Sequence, residues 1–229
     1  MTQYNNNTTL KEMTLVTASS NAVKVQFGCG LCAPEHWHNF DVSPSLRIRK
    51  IPVLGPILAK GPFGDWPDNV KYGNVITGLP LKDNSVDLLY CSHVLEHLSL
   101  EDFRKTLKEC HRLLKPNGTF RFVLPDLENL IKTYQKDSTP DASMDFMELS
   151  YLGRRQRAKG LKGFIREWLG NSRHLWMWDY KSMQRELVNA GFTNIRRAAF
   201  NDAKHTAFLE VEEERRWNGE LGVACSKNQ

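Results

Sequence analysis

Three groups of residues could do chemistry by their type and spacing. The first is Gly28-Cys-Gly30, which closes the alternating apolar run 23–27; Asp41 follows eleven positions after Gly30. Glycines let backbone approach a ligand closely, and a carboxylate ending the next strand can accept both hydroxyls of a ribose. The second is Ser92-His93, at the end of the apolar run 86–91. Histidine changes charge near neutral pH and suits a general base acting on a hydroxyl. The third is His174, far downstream in His-Leu-Trp-Met-Trp-Asp179.

Near the first group, Cys29-x-x-Cys32 with His36 and His38 admits two other chemistries. One is a redox pair at a helix start, where thiol pKa falls. The other is a metal site, which needs four ligand atoms converging in space. No thioredoxin-like strand order follows the cysteines, and nothing in the spacing brings the histidines to the sulfurs, so neither is preferred. The turn is also not a dinucleotide fingerprint. Position 33 is alanine where a third glycine would fall, and the acid comes sooner than the ~20 residues of the NAD pattern.

These residues need strands to hold them. The runs 23–27 and 37–41 read as two parallel strands joined by a crossover of one or two helical turns at most. The stretch 43–71 is rich in Pro and Gly, which breaks helices and central strands; it reads equally as a lid or binding loop or as a surface excursion with short helical turns near 56–60. A third strand is expected over 72–76. The run 86–91, apolar apart from Asp87, reads as a central strand covered on both faces. Ser99 should cap a helix over 100–114 with Phe103, Leu107, Cys110 and Leu114 on one face, stopped by Lys115-Pro-Asn-Gly118. Strand 119–124 and a helix capped by Asp126 follow. The pattern then predicts a helix over 143–152 with Met144, Met147 and Tyr151 on one face, and another beginning at Asp179 or Ser182. After it come a strand over 195–200, local pairing over 207–211, an exposed acidic run Glu212–Glu214 and a last strand over 221–225.

Composition bounds the class. The 229 residues suit one domain with insertions and can bury a sizeable core. The apolar fraction of 41% excludes a disordered chain, and no apolar run approaches the ~20 residues of a membrane span. The polar stretch 1–20 lacks the pattern of a signal peptide and reads as a loose tail. Five scattered cysteines, an odd count, point to reduced thiols and a cytoplasmic protein. The net charge of +5 permits an anionic substrate without arguing for nucleic acid.

Taken together, the motifs resemble a family. Leu79-Pro-Leu-Lys-Asp-Asn-Ser-Val-Asp-Leu-Leu-Tyr-Cys-Ser-His93-Val-Leu-Glu96-His97, then His111-Arg-Leu-Leu-Lys-Pro-Asn-Gly118 and Val123-Leu-Pro-Asp126, are similar to class I S-adenosylmethionine-dependent methyltransferases. The Gly-Cys-Gly turn followed by Trp37-x-Asn39-x-Asp41 resembles a bacterial group found with glycan and polysaccharide biosynthesis enzymes. The resemblance implies an α/β, Rossmann-like fold. It comprises about seven mostly parallel strands with helices on both faces and an antiparallel last strand, in one domain over 21–229 with acceptor-side insertions near 43–71 and 137–178. It also implies roles. Gly28 and Gly30 would lie against the methionine part of S-adenosylmethionine and Asp41 would bind the ribose. The backbone of Gly78 and Leu79 would border the adenine, and Ser92 and His93 would lie near the sulfonium. Where many relatives carry an acid before the Leu-Pro pair, this chain has Thr77-Gly78.

For the acceptor side, His93 and His174 are the candidate catalytic residues. His97 reads as packing or capping, and Glu96 as ordering its turn. Arg154, Arg155, Arg157, Lys159, Lys162, Arg166 and Arg173 form either a solvated basic face or a clamp for an anionic acceptor. With Phe164 and Trp168 close by, the segment also admits a peripheral membrane contact. The expected acceptor is a small molecule or glycan. The alternatives are an RNA methyltransferase and a non-catalytic cofactor-binding protein of the same fold. No Asn-Pro-Pro-Tyr-type base-methylation motif follows the run 86–91, where Cys91-Ser-His93 stands instead.

Overall fold

The computed structural model describes residues 21–49, 66–156 and 173–229. Seven strands form one sheet: β1 (Lys24–Phe27), β2 (His38–Asp41), β3 (Val70–Tyr72), β4 (Val86–Ser92), β5 (Leu114–Leu124), β6 (Phe192–Ala198) and β7 (Leu221–Lys227). Their order is β3-β2-β1-β4-β5-β7-β6. The strands from β3 to β5 are parallel, and β7 runs antiparallel to both β5 and β6. The order reverses between β1 and β4, and in open α/β sheets ligands bind outside the strand ends at such a reversal.

Strand β4 explains why the sheet closes around it. Six of its seven residues are buried and Asp87 alone is half-buried, as a strand covered on both faces requires. Leu89 and Cys91 point into the larger core, with Phe27, Phe120 and Phe122. Leu88 and Tyr90 point the other way, to Trp37, Phe208 and Trp217.

The two faces are covered differently. On one, α2 (Leu100–Leu113) presents Phe103, Leu107 and Cys110, and α5 (Tyr180–Asn189) presents Met183 and Leu187. Ser99 accepts the Asp102 N–H at the start of α2, and Asp179 and Ser182 close a capping box at the start of α5. On the other face, short 3-10 turns over Thr206–Glu210 and Glu214–Arg216 bring Phe208 and Trp217 onto the sheet. Thus, among the described residues, that face is not covered by long helices. The remaining helices are α1 (Pro44–Arg49), α3 (Leu127–Lys136) and α4 (Ala142–Leu149). No helix among the described residues is long and apolar enough to cross a membrane.

Several local expectations are corrected. No helix joins β1 to β2; turns take its place, pinned by buried polar side chains. Gln26 donates to Asn39 Oδ1 at 2.6 Å and to the Cys32 carbonyl at 2.7 Å, and Asn39 donates to the Pro34 carbonyl at 3.0 Å. The stretch after β2 does hold a helix, because Pro44 occupies its first position, where a missing N–H costs nothing. The expected turns near 56–60 lie outside the described residues. Strand β3 ends at Tyr72, four residues before the expected end, because Gly73 and the Asn74–Gly78 bridge turn the chain. Leu114 starts β5 rather than ending α2, pairing with Val86 before the 115–118 turn bulges out. Strand β6 starts at Phe192, three residues early, and α4 ends at Leu149. Met144, Met147 and Tyr151 are all exposed.

The acidic run is the largest correction. Glu212 is buried, and it pairs with the Arg121 guanidinium, itself only 1% exposed. Arg121 also donates to Asp202 Oδ1 and to the Ala199 carbonyl, both at 2.7 Å, and stacks 4.4 Å from the Trp217 ring. The 3-10 turn over Thr206–Glu210 replaces the expected pairing over 207–211 and carries Phe208 and Glu212 to this cluster.

Candidate functional site

The first half of the site lies at the C-terminal ends of β1 and β2. Gly28 and Gly30 both take positive φ, +62° and +55°. A Cβ on Gly28 would come within 2.3 Å of the Val94 side chain, whereas one on Gly30 would meet nothing within 4 Å. The first glycine therefore lets the turn pack against the chain beyond β4, and the second leaves an open cradle. Asp41 Oδ2 accepts the Gly30 N–H at 3.0 Å and Oδ1 accepts the Ser43 N–H at 2.7 Å. A carboxylate has about four acceptor positions, so each oxygen keeps one for a ligand hydroxyl. The neighbouring Cys29 thiol is raised to about 12, first by burial and then by the Asp41 charge. Cys32 is also raised, first by burial. Neither has the low pKa of a redox thiol.

Gly78 and Leu79 sit in the β3–β4 connection. The Leu79 side chain is buried in the core, and its N–H donates to Glu109 Oε1 at 2.8 Å. Arg112 holds that carboxylate at 2.7 Å.

Ser92 ends β4, and its hydroxyl, buried, has no hydrogen bond among the described residues. His93 follows at φ +53°, a left-handed conformation that is uncommon outside glycine and clusters at functional sites. Its N–H still donates to the Val123 carbonyl at 2.9 Å, so strand pairing continues to the turn itself. Both ring nitrogens are engaged: Nε2 lies 3.1 Å from the Arg216 carbonyl and Nδ1 lies 3.3 Å from Glu96 Oε1.

Glu96 is the centre of the second half. The 3-10 turn Leu95–His97 anchors Leu95 in the core and turns Glu96 inward, fully buried. His97 Nε2 and His174 Nε2 lie 3.9 and 4.0 Å from Glu96 Oε1. Neither carboxylate oxygen receives a well-directed hydrogen bond from the described residues. His174 is delivered by a separate anchor. Trp178 stacks 4.2 Å from Phe103, its carbonyl accepts the Leu127 N–H, and the Leu175 N–H donates to the Glu96 carbonyl at 2.7 Å. The His174 ring lies 5.1 Å from His97 and 4.9 Å from Tyr151.

The electrostatics set the histidines apart. Burial pulls the His93 imidazole down, but the Glu96 carboxylate and the Arg216 carbonyl outweigh it and the net shift is upward. His174 is shifted down, first by burial, with His97 and His93 adding to it against Glu96. Glu220, across the cleft, is raised, first by burial and further by the Glu96 and Asp126 charges.

His93, Glu96, His97 and His174 line a cleft of about 590 Å³ that also takes in Asp126 and Glu220. The structure thus brings both candidate catalytic histidines together around a carboxylate read from the sequence only as ordering its turn. The one available signal was the spacing of His93, Glu96 and His97, with the acid and the second histidine three and four residues after the first. The described lining is acidic. Of the basic clamp residues, Arg157, Lys159, Lys162 and Arg166 lie outside the described residues, as do Phe164 and Trp168, while Arg155 is paired with Glu148 at 2.6 Å.

Residues 66–122 match the family described as methyltransferase domain. The matched segment is about a quarter of the chain and runs from just before β3 into β5 of the Rossmann-like sheet. Two relatives align over short segments of the chain. An uncharacterised protein of Methanocaldococcus jannaschii is 42% identical over 57 residues, which is 25% of this chain and 24% of that protein. Malonyl-(acyl-carrier protein) O-methyltransferase 1 of Coxiella burnetii is 46% identical over 52 residues, 22% of this chain and 18% of that protein. The aligned region spans about a quarter or less of the length of these curated relatives. Among solved structures, a chain from the complex of the Haloferax volcanii Trm112 methyltransferase activator is similar at TM-score 0.48 and 17% identity, covering 91% of this chain and 85% of that one. An S-adenosylmethionine-dependent methyltransferase from Archaeoglobus fulgidus is similar at TM-score 0.47 and 16% identity, covering 91% and 87%.

Proposed function

We propose that the chain is an S-adenosylmethionine-dependent methyltransferase, one domain over 21–229, acting on a hydroxyl of a small-molecule acceptor. The observation that carries this reading is the corner of Gly28, Gly30 and Asp41 beside β4 of a sheet whose central segment matches the methyltransferase domain. The residues fit the cofactor: Gly30 leaves an open cradle, and Asp41 keeps an acceptor position on each oxygen. When bound, S-adenosylmethionine supplies a methyl group on a positively charged sulfur, and the hard chemistry is its own.

The chain's own residues do the rest. Asp41 holds the ribose, the Gly28–Gly30 backbone the methionine part, and the backbone around Gly78 and Leu79 borders the adenine. Ser92 and His93 separate the cofactor corner from the cleft. The acceptor enters beside Tyr151 and presents its hydroxyl to the cluster of His93, Glu96, His97 and His174, which takes up the proton. Holding the two reactants in line is the main contribution. A neutral acceptor, a sugar or another polyol among them, suits the acidic described lining better than an anion or RNA does. The scattered, mostly buried thiols favour a reducing, cytoplasmic setting.

Calorimetry with S-adenosylmethionine tests the reading. Asp41→Ala should weaken binding roughly ten- to a hundredfold, the range for losing charge-assisted hydrogen bonds. An unchanged affinity removes the ribose assignment. Absence of binding by the wild-type protein favours a non-catalytic fold relative. Transfer of labelled methyl to small polyols, sugar nucleotides, lipid-linked glycans and RNA then sorts the acceptors.

A further inference from the structure

We propose that Glu96, His97 and His174 form a binding site for one divalent transition-metal ion, ligated by Glu96 Oε1, His97 Nε2 and His174 Nε2. One ligand atom from each of the three residues lies within 4.8 Å of the others. A carboxylate and two imidazoles with open positions is a ligand set that suits zinc and its first-row neighbours. Around a tetrahedral ion with ligands about 2.1 Å away, donor atoms stand roughly 3.4 Å apart. The 3.9 and 4.0 Å separations from Glu96 Oε1, and the 4.8 Å limit on the cluster, are wider than that spacing, so an ion would draw the three side chains together.

Two observations point to an ion independently of the distances. The first is Glu96 itself. It is fully buried, and neither oxygen receives a well-directed hydrogen bond among the described residues. A buried carboxylate without such partners is costly and calls for a cation. The second is the orientation of His97. Its Nδ1 lies 2.7 Å from the Arg173 carbonyl. A carbonyl can only accept, so the hydrogen is on Nδ1, and in the neutral ring Nε2 keeps its lone pair 3.9 Å from Glu96 Oε1. A lone pair that close to a carboxylate oxygen is stabilised by a cation or a proton between them. An imidazole whose other nitrogen donates to a backbone carbonyl is also the arrangement that orients metal-bound histidines.

The ligands come from two elements that meet only in the fold. Glu96 and His97 sit on one 3-10 turn, and His174 is held against it by the Leu175 and Trp176 N–H groups on the Glu96 carbonyl, 2.7 and 3.2 Å. The site opens on the cleft that also takes in Asp126, which is paired with Arg197, and Glu220. The open position would receive an oxygen of the acceptor. That last step rests on the methyl-transfer reading above; the metal site does not.

Chelator-treated full-length protein titrated with Co2+, followed by visible absorption and by calorimetry with Zn2+, tests the proposal. One equivalent should bind, with a cobalt spectrum of mixed nitrogen and oxygen ligation. Glu96→Gln and His174→Ala should weaken binding at least about a hundredfold, while His205→Ala, outside the cluster, should bind as wild type does. A wild-type protein that takes up no metal, or a Glu96→Gln variant that binds unchanged, overturns the site. In the first case the cluster is an imidazolium–carboxylate network. Elemental analysis of the wild-type protein as purified keeps the test independent of whether the variants fold. Cofactor binding measured on the same metal-free protein separates the two readings: metal uptake without cofactor binding retains the site and removes the methyltransferase.

Discussion

Two buried charges, one on β5 and one on the turn beyond β4, make an instructive pair. Arg121 is 1% exposed, and its guanidinium meets Glu212, Asp202 and the Ala199 carbonyl, with the Trp217 ring stacked on it. Glu96 is 0% exposed, and three imidazoles stand 3.3 to 4.0 Å from one of its oxygens without a well-directed hydrogen bond. The first charge has the partners a buried ion needs, and its place is structural: it fastens the turns after β6 onto the sheet. The second lacks them and faces a cleft. Polar groups buried and unpaired are rare in folded proteins, and they gather where a ligand or ion completes them. The difference therefore separates a rivet from a site, and replacing each charge should have opposite consequences.

The largest effect is expected from Glu96→Gln. If the cluster activates the acceptor, turnover should fall by about 10²- to 10⁴-fold, the usual range for losing proton-transfer assistance. Cofactor affinity should stay close to wild type, since Asp41 and the glycine turn are untouched. The metal-free variant should be at least as thermally stable as the metal-free wild type, because an ill-paired buried carboxylate has been neutralised. A clear drop in its melting temperature would place Glu96 with Arg121 as a structural charge.

Glu212→Ala should do the reverse. Removing one partner of a buried ion pair costs about 3–5 kcal/mol, and the lower end applies because Asp202 and Ala199 still hold the guanidinium. Denaturant unfolding should show that loss, and the folded fraction should keep its metal and cofactor affinities. Loss of binding with no loss of stability would mean that this face, too, carries a site.

The glycine turn offers a smaller and more local contrast. Gly28→Ala must accommodate both φ +62° and a Val94 methyl 2.3 Å away, whereas Gly30→Ala meets only φ +55°. The first should cost about 1–3 kcal/mol and loosen the turn, and the second about 1 kcal/mol. Equal losses in unfolding experiments would show that Val94 gives way. A large loss of cofactor affinity in Gly30→Ala at nearly unchanged stability would show that its open side is the cofactor's.

How much of this was legible in the sequence follows the same division. Strands β1, β2, β4 and β7, the caps at Ser99, Asp126 and Asp179, and the turn glycines all follow from local periodicity and turn chemistry, and the structure has them. The boundaries that moved were set by long-range pairing. Leu114 joins β5 because Val86 lies opposite it, and Phe192 starts β6 because Lys227 does. Both buried charges escaped local reading. Glu212 sits in a run of three acids that looks solvated, and its partner Arg121 is 91 residues away. Glu96 looks like part of a helix entry, and His174 completes the cluster from far along the chain. Burial of a charge is decided by the residues that fold over it, which local patterns do not encode.

The smallest expected effect sharpens the Arg121 side by pH. Burial raises the Asp202 carboxyl, but the Arg196 hydrogen bond, the Ala199 N–H and Arg121 outweigh it and hold the group below the ordinary aspartate range. A carboxyl whose folded pKa is depressed adds stability that is present above its unfolded value of about 3.9 and is lost as pH falls through the folded value. Wild-type stability should therefore fall more steeply below about pH 4 than that of Asp202→Asn, with the two curves parallel near neutrality. Asp202 is 29% exposed, so solvent screens part of the contribution and the gap between the slopes should be modest. Added salt should narrow it further, whereas the loss in Glu212→Ala should change little with salt, because that pair lies where screening does not reach. Salt-insensitive acid slopes in Asp202→Asn would place Asp202 inside the buried pair rather than at its edge.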